Sequence, residues 1–151
     1  MNVVHGDLIK LAVAGDFDVL VHGCNCHCTM GAGIAKAIRD VFPAAFEADK
    51  ATAPGDRDKL GTLSCADVEA VGHRLTVVNA YTQFDWRGEK PLVDYEAVRR
   101  AFAAVRQQFS GKRIGYPRIG AGLAGGDWEV IAAIIDEELE GEQHTLVEFA
   151  G

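Results

Sequence analysis

Short apolar segments alternate with amphipathic helical segments along this chain, and that alternation constrains its fold more than any other feature. The run "DVLVHG" is short, apolar and bounded by turn signals, which is typical of a strand buried on both faces. Further on, Asp94 precedes a helical pattern whose apolar face comprises Val98, Phe102, Val105 and Phe109. The pattern predicts strands joined by helices, as in α/β proteins.

Six segments have the pattern of strands: "NVVH", "DVLVHG", "GTLSCADV", "RLTVVNAYT", "RIGYP" and "HTLVEFA". Helical patterns lie between them: "DLIKLAVAG" ends at Gly15, "GIAKAIRDVF" stops at Pro43, and "DWEVIAAIIDEELEG" precedes the last strand. Because strands joined by helices tend to pair in parallel, we predict a three-layer α/β/α sandwich with a largely parallel central sheet of six strands.

The length and the charge of the chain exclude several classes of protein. With 151 residues, 48% of them hydrophobic, the chain has the size of one domain, and we expect residues 1–151 to form it. A net charge of −7 argues against a broad nucleic-acid surface. No apolar run approaches the roughly 20 residues of a membrane span, and the N-terminus lacks a secretory apolar region. We therefore expect a cytoplasmic monomer that does not contact membranes.

Two segments run from a strand into a glycine-rich loop and then into a helix, "HGCNCHCTMGAGIAKAI" and "PRIGAGLAGGDWEVI". The second contains Gly120, Gly122 and Gly125 at the spacing of a dinucleotide-binding turn, but too few residues follow for the remaining strands of a nicotinamide-binding fold. Free N–H groups at a helix N-terminus attract anions, so each segment predicts a phosphate site, and the pair predicts a diphosphate site. The alternative is that each loop is only a tight connection.

Three of the four cysteines are crowded into "CNCHC". Zinc sites favour two or more residues between paired cysteines, and Cys24, Cys26 and Cys28 are too close for easy disulfides. Cys28 precedes a helix N-terminus, which would lower the pKa of a nucleophilic thiol. We favour reduced cysteines whose small side chains permit a tight phosphate loop, and we predict neither a metal nor a cofactor.

The order of these motifs resembles that of the macrodomain family: "GDL", "VHGCNC", "MGAGIA", "FP", "KLG", "NAYTQ" and "PRIGAGLAGGDW". The resemblance covers nearly the whole chain. It implies a mixed α/β/α sandwich that binds ADP-ribose in a surface cleft. The two glycine-rich loops would then hold the diphosphate and the distal ribose.

The resemblance also assigns individual ligand contacts. Asp7 and Leu8 match the adenine site, although Asp7 could equally cap the helix that begins at Leu8. Asn25 matches an asparagine that binds the distal ribose, the alternative being a turn residue. Phe149 either flanks adenine or packs in the core. The diphosphate loops correspond to Gly31, Ala32, Gly33 and Ile34, and to Ile119, Gly120, Ala121, Gly122, Leu123 and Ala124.

Within the family, the motifs are most similar to glycohydrolases acting on glutamate esters, to DNA-de-ADP-ribosylating antitoxins and to fungal ADP-ribose 1″-phosphate phosphatases. Two departures bear on the mechanism. Gln83 stands where the first two groups have a catalytic lysine, and a glutamine cannot form a Schiff base. Ala124 stands where the glycohydrolases have an aspartate, and the nearest acid, Asp127, suits a helix cap better than catalysis.

Three functions follow from the resemblance. We rank first a hydrolase that removes ADP-ribose from acidic side chains of modified proteins by water attack, with Asn25 and Gln83 positioning the ribose. The second is a phosphatase acting on ADP-ribose 1″-phosphate with His22 as its key group, although a histidine at the end of a buried strand is usually a core residue. The third is a non-catalytic reader. His27 could also face the ribose, and ADP-ribosylated nucleic acid is a less favoured partner than protein.

Overall fold

The computed structural model describes residues 1–70 and 72–149. Its strands are β1 (Asn2–Gly6), β2 (Val19–Cys24), β3 (Leu63–Ala70), β4 (His73–Tyr81), β5 (Ile114–Tyr116) and β6 (His144–Phe149). Its helices are α1 (Leu8–Val13), α2 (Gly33–Val41), α3 (Pro43–Lys50), α4 (Tyr95–Phe109) and α5 (Trp128–Glu138), with a 3-10 turn at Arg57–Lys59.

The six strands form one sheet in the order β1-β6-β5-β2-β4-β3. All neighbouring strands are parallel except β3 and β4, which are antiparallel. The prediction of a mixed, largely parallel six-stranded α/β sandwich is therefore confirmed. The predicted final strand extended to Ala150, which lies outside the described residues, as do Val71 and Gly151 within the predicted domain 1–151.

Helix α3 was not predicted from the sequence. Pro43 ends the preceding helical pattern, but it also occupies the first turn of α3, where its missing N–H costs nothing and its fixed φ favours the helix. One proline thus ends α2 and begins α3. This helix carries Asp49, a buried carboxylate, towards the sheet.

The two faces of the sheet are covered by separate hydrophobic clusters. On one face, Val98, Phe102 and Val105 of α4 are fully buried together with residues of α5, as the periodicity of α4 predicts. On the other, Leu8 of α1 and Ile38 of α2 pack in the cluster that contains residues of β2 and β4. The sheet is thus the middle layer of three. No helix in the described part of the chain is long and apolar enough to cross a membrane.

Strand β2 lies in the centre of the sheet, between β5 and β4. Because β2 and β5 are parallel neighbours, the chain leaves both at the same edge of the sheet. The first glycine-rich loop follows β2 and the second follows β5, so this pairing brings the two loops together. The topology therefore places both predicted phosphate loops at one edge.

His22 of β2 is fully buried, and its Nε2 lies 2.6 Å from Asn79 Oδ1. The amide of Asn79 donates in turn to Ala45 O at 2.9 Å, so its Oδ1 is free to accept from an Nε2–H of the imidazole. Desolvation is the main cause that lowers the pKa of His22 to about 4, and the hydrogen bond to Asn79 opposes it only in part. Burial therefore keeps the His22 imidazole neutral at physiological pH.

This burial predicts a pH-dependent stability. The unfolded chain protonates His22 near pH 6.5, whereas the folded protein resists protonation until about pH 4, so the free energy of unfolding should fall as the pH drops through this range. The contribution is roughly 3 kcal/mol. Urea unfolding of the wild type and of His22→Gln at several pH values measures it. The variant should lose this part of the pH dependence, while His5→Gln, at an exposed position of β1, should retain it.

Candidate functional site

A cleft of about 550 Å³ opens at the carboxyl edge of the sheet. This volume is within the range of small-molecule sites. Its lining comprises Gly23, Cys24, Asn25, Thr29, Met30, Gly31, Ala32, Gly33, Ile34, Ala35, Asp49, Gln83, Trp86, Pro117, Arg118, Ile119, Gly120, Gly122, Leu123 and Ala124. Both predicted phosphate loops thus contribute to one cavity, as the sequence analysis expected.

The first wall of the cleft is the loop between β2 and α2. Cys28 and Met30 adopt positive φ angles of 57° and 40°, and Gly33 adopts a φ of 58° at the first residue of the helix. Ala32 caps α2 without a side-chain hydrogen bond. The first N–H groups of α2 are therefore left for a ligand, and they carry the partial positive charge of the helix dipole.

The second wall is the loop between β5 and α5. A Cβ added at Gly33 would lie 3.3 Å from Leu123 Cδ1, which shows how closely the two walls approach each other. A Cβ added at Gly122 would meet nothing within 4 Å, so this glycine borders open space in the cleft. The cleft thus lies between two glycine-rich segments, an arrangement that suits a phosphate chain.

Asn25 and Gln83, the two residues predicted to position the ribose, both line the cleft. Asn25 Oδ1 accepts a hydrogen bond from His27 N at 2.8 Å, and its Nδ2 donates to Thr29 Oγ1 at 2.8 Å. The turn role and the ligand role can coexist, because the second amide hydrogen and the second lone pair of Asn25 are not used by these bonds. Gln83 is held by a bond from Nε2 to Asp85 O at 3.0 Å.

Other predicted positions lie outside the lining of the cleft. His22 is buried beneath it, and His27 packs against the rings of Phe84 and Trp86 at centroid distances of 4.9 and 5.6 Å. Ala121 packs against the core, and Asp127 caps α5 by accepting from Glu129 N at 3.0 Å. The structure thus brings neither histidine to the cleft, and it gives Asp127 the capping role favoured by the sequence.

The predicted adenine contacts meet at the end of the β1 and β6 pair. Gly6 of β1 pairs with Phe149 of β6, and Asp7 is the next residue after Gly6 in the sequence. Asp7 accepts from Lys10 N at 3.1 Å and caps α1, while the side chain of Leu8 is buried. Phe149 is 80% exposed, so the alternative of a core role for this ring is wrong. The ring of Phe149, at the end of β6, faces solvent.

The lining residues that were not predicted from the sequence include three with large or charged side chains, Trp86, Arg118 and Asp49. Trp86 is 47% exposed, and the Arg87 guanidinium lies 4.3 Å from its ring centroid. Arg118 pairs with Glu148 at 2.6 Å and adds a cation to the rim of the cleft. The position of Arg118 just before the second glycine-rich loop was a usable signal, whereas nothing in the sequence places Asp49 near either loop.

Cys24 and Cys26 at the first wall are buried, and burial disfavours their reactive thiolate forms. Desolvation is the main cause that raises the pKa of Cys24 well above its usual value and that of Cys26 to about 11. Cys28 Sγ donates to Asp49 O at 3.1 Å and lies 3.4 Å from Lys59 Nζ. Among residues 1–70 and 72–149, no group of three or more His, Cys, Asp or Glu side chains is arranged to hold a metal ion.

The model of the family described as Macro domain matches residues 21–135 of the chain. The chain belongs to the macrodomain family. A 17.5 kDa protein from the tk-vs intergenic region of Enterobacteria phage T4 is 36% identical over 141 residues, covering 90% of this chain and 88% of that protein. An ADP-ribose 1″-phosphate phosphatase of Neosartorya fischeri is 49% identical over 43 residues, which are 28% of this chain and 20% of that enzyme.

Solved structures share the macrodomain fold. A Bacteroides thetaiotaomicron protein of unknown function superposes with a TM-score of 0.80 at 26% identity, with 98% of each chain covered. The macrodomain of Thermus aquaticus DarG gives a TM-score of 0.76 at 24% identity, covering 97% of this chain and 96% of that one. Thermosipho africanus DarTG in complex with ADP-ribose gives 0.72 at 16% identity, covering 99% of this macrodomain and 42% of that chain.

The close packing of the second loop predicts a difference between two of its glycines. A Cβ at Gly126 would lie 2.5 Å from Val93 Cγ1 and 2.6 Å from Gly120 O, and a backbone oxygen cannot move aside easily. Gly126→Ala should therefore lower the free energy of unfolding by about 1–3 kcal/mol. Gly122→Ala, whose Cβ meets open space, is the matched control and should change stability little. Urea unfolding of both variants checks this, and equal stabilities would contradict the described loop packing.

Proposed function

We propose that the cleft binds ADP-ribose and that the protein hydrolyses the ester bond joining ADP-ribose to acidic side chains of modified proteins. The observation that carries the binding proposal is the uncapped N-terminus of α2 facing the second glycine-rich loop across one cavity. Backbone N–H groups on both walls suit the two phosphates of a diphosphate. The fold shared with a protein solved in complex with ADP-ribose supports the same ligand.

The proposed ligand would extend in both directions from the two loops. The adenine would lie near the Asp7 carboxylate, which can accept from its amino group, and beside the exposed ring of Phe149. The distal ribose would lie near Asn25 and Gln83, whose amides can bind vicinal hydroxyls. Trp86, exposed at the rim, would cover the ribose end of the cleft.

The binding proposal predicts that Gly122→Val abolishes ADP-ribose binding. The added side chain would occupy open space in the cleft, so the fold should remain intact while the diphosphate loses its place. Ala133→Val, at an exposed position of α5, is the matched control. Titration calorimetry should give wild-type affinity for the control and no measurable binding for Gly122→Val.

The same titrations should show weaker binding of AMP than of ADP-ribose to the wild type, because one phosphate engages only one loop. Equal affinities for the two nucleotides would contradict the diphosphate site, and normal ADP-ribose binding by folded Gly122→Val would contradict its position.

The reaction proposed for the cleft is attack of water on the anomeric carbon of the distal ribose. Gln83 lacks a nucleophilic amine, so a covalent lysyl intermediate cannot form at this position. A carboxylate is a good leaving group, and positioning of the water and the ribose can therefore supply much of the rate. Asn25, fixed by its bonds to His27 N and Thr29, is rigid enough to perform this positioning.

A phosphatase acting on ADP-ribose 1″-phosphate is the second candidate, since 43 residues are 49% identical to a fungal enzyme with that activity. The burial of His22 and its low pKa weigh against the form of this proposal in which His22 contacts the phosphate. A reader that binds ADP-ribosylated protein without turnover is the third candidate. It would use the same cleft and the same two loops.

The hydrolase proposal predicts that Asn25→Ala loses turnover more than binding. The diphosphate remains held by backbone N–H groups while the ribose is misplaced, so kcat on a glutamate-ADP-ribosylated peptide should fall about a hundredfold or more. ADP-ribose affinity should fall far less. Asn2→Ala, at the exposed opposite end of β1, is the matched control.

Both variants are assayed on the ester substrate and on ADP-ribose 1″-phosphate. If the wild type releases phosphate from ADP-ribose 1″-phosphate and does not cleave the ester, the protein is a phosphatase. If it acts on neither substrate, the non-catalytic reader is the remaining candidate. Full ester hydrolysis by Asn25→Ala would remove Asn25 from the mechanism.

A further inference from the structure

Asp49, near the end of α3, is the only carboxylate among the described residues that line the cleft. Its side chain is 1% exposed. Oδ1 accepts a hydrogen bond from Tyr81 OH at 2.7 Å, whereas Oδ2 is buried and has no hydrogen-bond partner among residues 1–70 and 72–149. A buried carboxylate oxygen without a donor is costly, and because Asp49 lines the cleft, a group bound there can supply the donor.

The surroundings of Asp49 hold it in place. Tyr81 OH also lies 2.8 Å from Ser64 Oγ, and the backbone oxygen of Asp49 accepts from Cys28 Sγ at 3.1 Å and from Thr52 Oγ1 at 2.6 Å. No lysine, arginine or histidine forms an ion pair with Asp49 in the described part of the chain. The carboxylate is thus rigidly placed and one of its oxygens is unused.

The electrostatic environment suits a proton acceptor. Desolvation is the main cause that raises the pKa of Asp49, while the hydrogen bond from Tyr81 and the charge of Lys59 oppose it. The ionisable groups around it are Tyr81 on β4, Lys59 on the 3-10 turn, and Cys24, Cys26 and Cys28 on or after β2. A carboxylate with a raised pKa is a better general base near neutral pH than an exposed one.

We propose that Asp49 Oδ2 binds the attacking water and removes its proton. This inference rests on the ester-hydrolase function proposed above. As the water oxygen forms a bond to the anomeric carbon, the bond from that carbon to the ester oxygen breaks, and the side-chain carboxylate leaves with the electron pair. One water proton passes to Oδ2 and is then released to solvent. Asn25 positions the ribose, Asp49 activates the water, and no lysine is required.

The decisive variant is Asp49→Asn, which keeps the size of the side chain and can still accept from Tyr81. We expect kcat on a glutamate-ADP-ribosylated peptide to fall at least a hundredfold. ADP-ribose affinity in calorimetry should stay within about threefold, because the diphosphate loops are unchanged. Asp40→Asn, at an exposed position of α2 paired with Lys36, is the matched control and should keep full activity.

The pH profile separates a general base from a structural residue. In the wild type, kcat/KM should fall on the acid side as Asp49 becomes protonated, and this acid limb should disappear from the residual activity of Asp49→Asn. Tyr81→Phe removes the donor to Oδ1, which should raise the pKa of the carboxyl and move the acid limb to higher pH. If Asp49 were purely structural, neither substitution would change the acid limb of the pH profile.

The outcomes distinguish this inference from the function on which it rests. A wild type that releases no ADP-ribose from the ester overturns both. An active wild type combined with an equally active Asp49→Asn overturns the role of Asp49 alone, as does loss of activity with parallel loss of ADP-ribose binding. If Asp49→Asn does not fold, the pH profile of Tyr81→Phe is the deciding measurement. An acid limb at the same pH as in the wild type would then overturn the proposal.

Discussion

The parallel pairing of β2 with β5 is the constraint on which the rest of the site depends. Val19 and Leu20 pair with Ile114 and Gly115 in the centre of the sheet, where burial of apolar side chains fixes the register. Two loops that are about 90 residues apart in the sequence therefore leave the sheet side by side. The cleft is a consequence of strand order, and its walls need no direct attraction to each other.

In the proposed function, the cleft lets an acidic protein attract an anion. The net charge of the chain is −7, so its overall field repels a diphosphate. The first wall instead offers the N–H groups at the uncapped start of α2, whose dipole acts only over a short distance. Local backbone geometry thus supplies the positive potential that the composition lacks.

Beneath the cleft, buried polar side chains form a connected network. Hydrogen bonds link Asp49 to Tyr81, Tyr81 to Ser64, Ser64 to Asn79 and Asn79 to His22. Burial disfavours the charged form at both ends of the network, so it lowers the pKa of the His22 imidazole and raises the pKa of the Asp49 carboxyl. The same low-dielectric layer thus keeps His22 neutral and, in the proposed mechanism, suits Asp49 to accept a proton.

The sequence by itself determined the α/β class, the strands and most of the helices, because apolar periodicity reports which faces are buried. It also located both glycine-rich loops, since these features are local, and the resemblance to macrodomains pointed to Asn25 and Gln83 beside them. Tertiary structure alone decided the rest. Helix α3 was hidden because Pro43 both ends one helix and begins the next, and Phe149 faces solvent because its strand ends at the surface. Asp49 reaches the cleft only through packing of α3 against the sheet, and such long-range contacts leave no pattern in a single sequence.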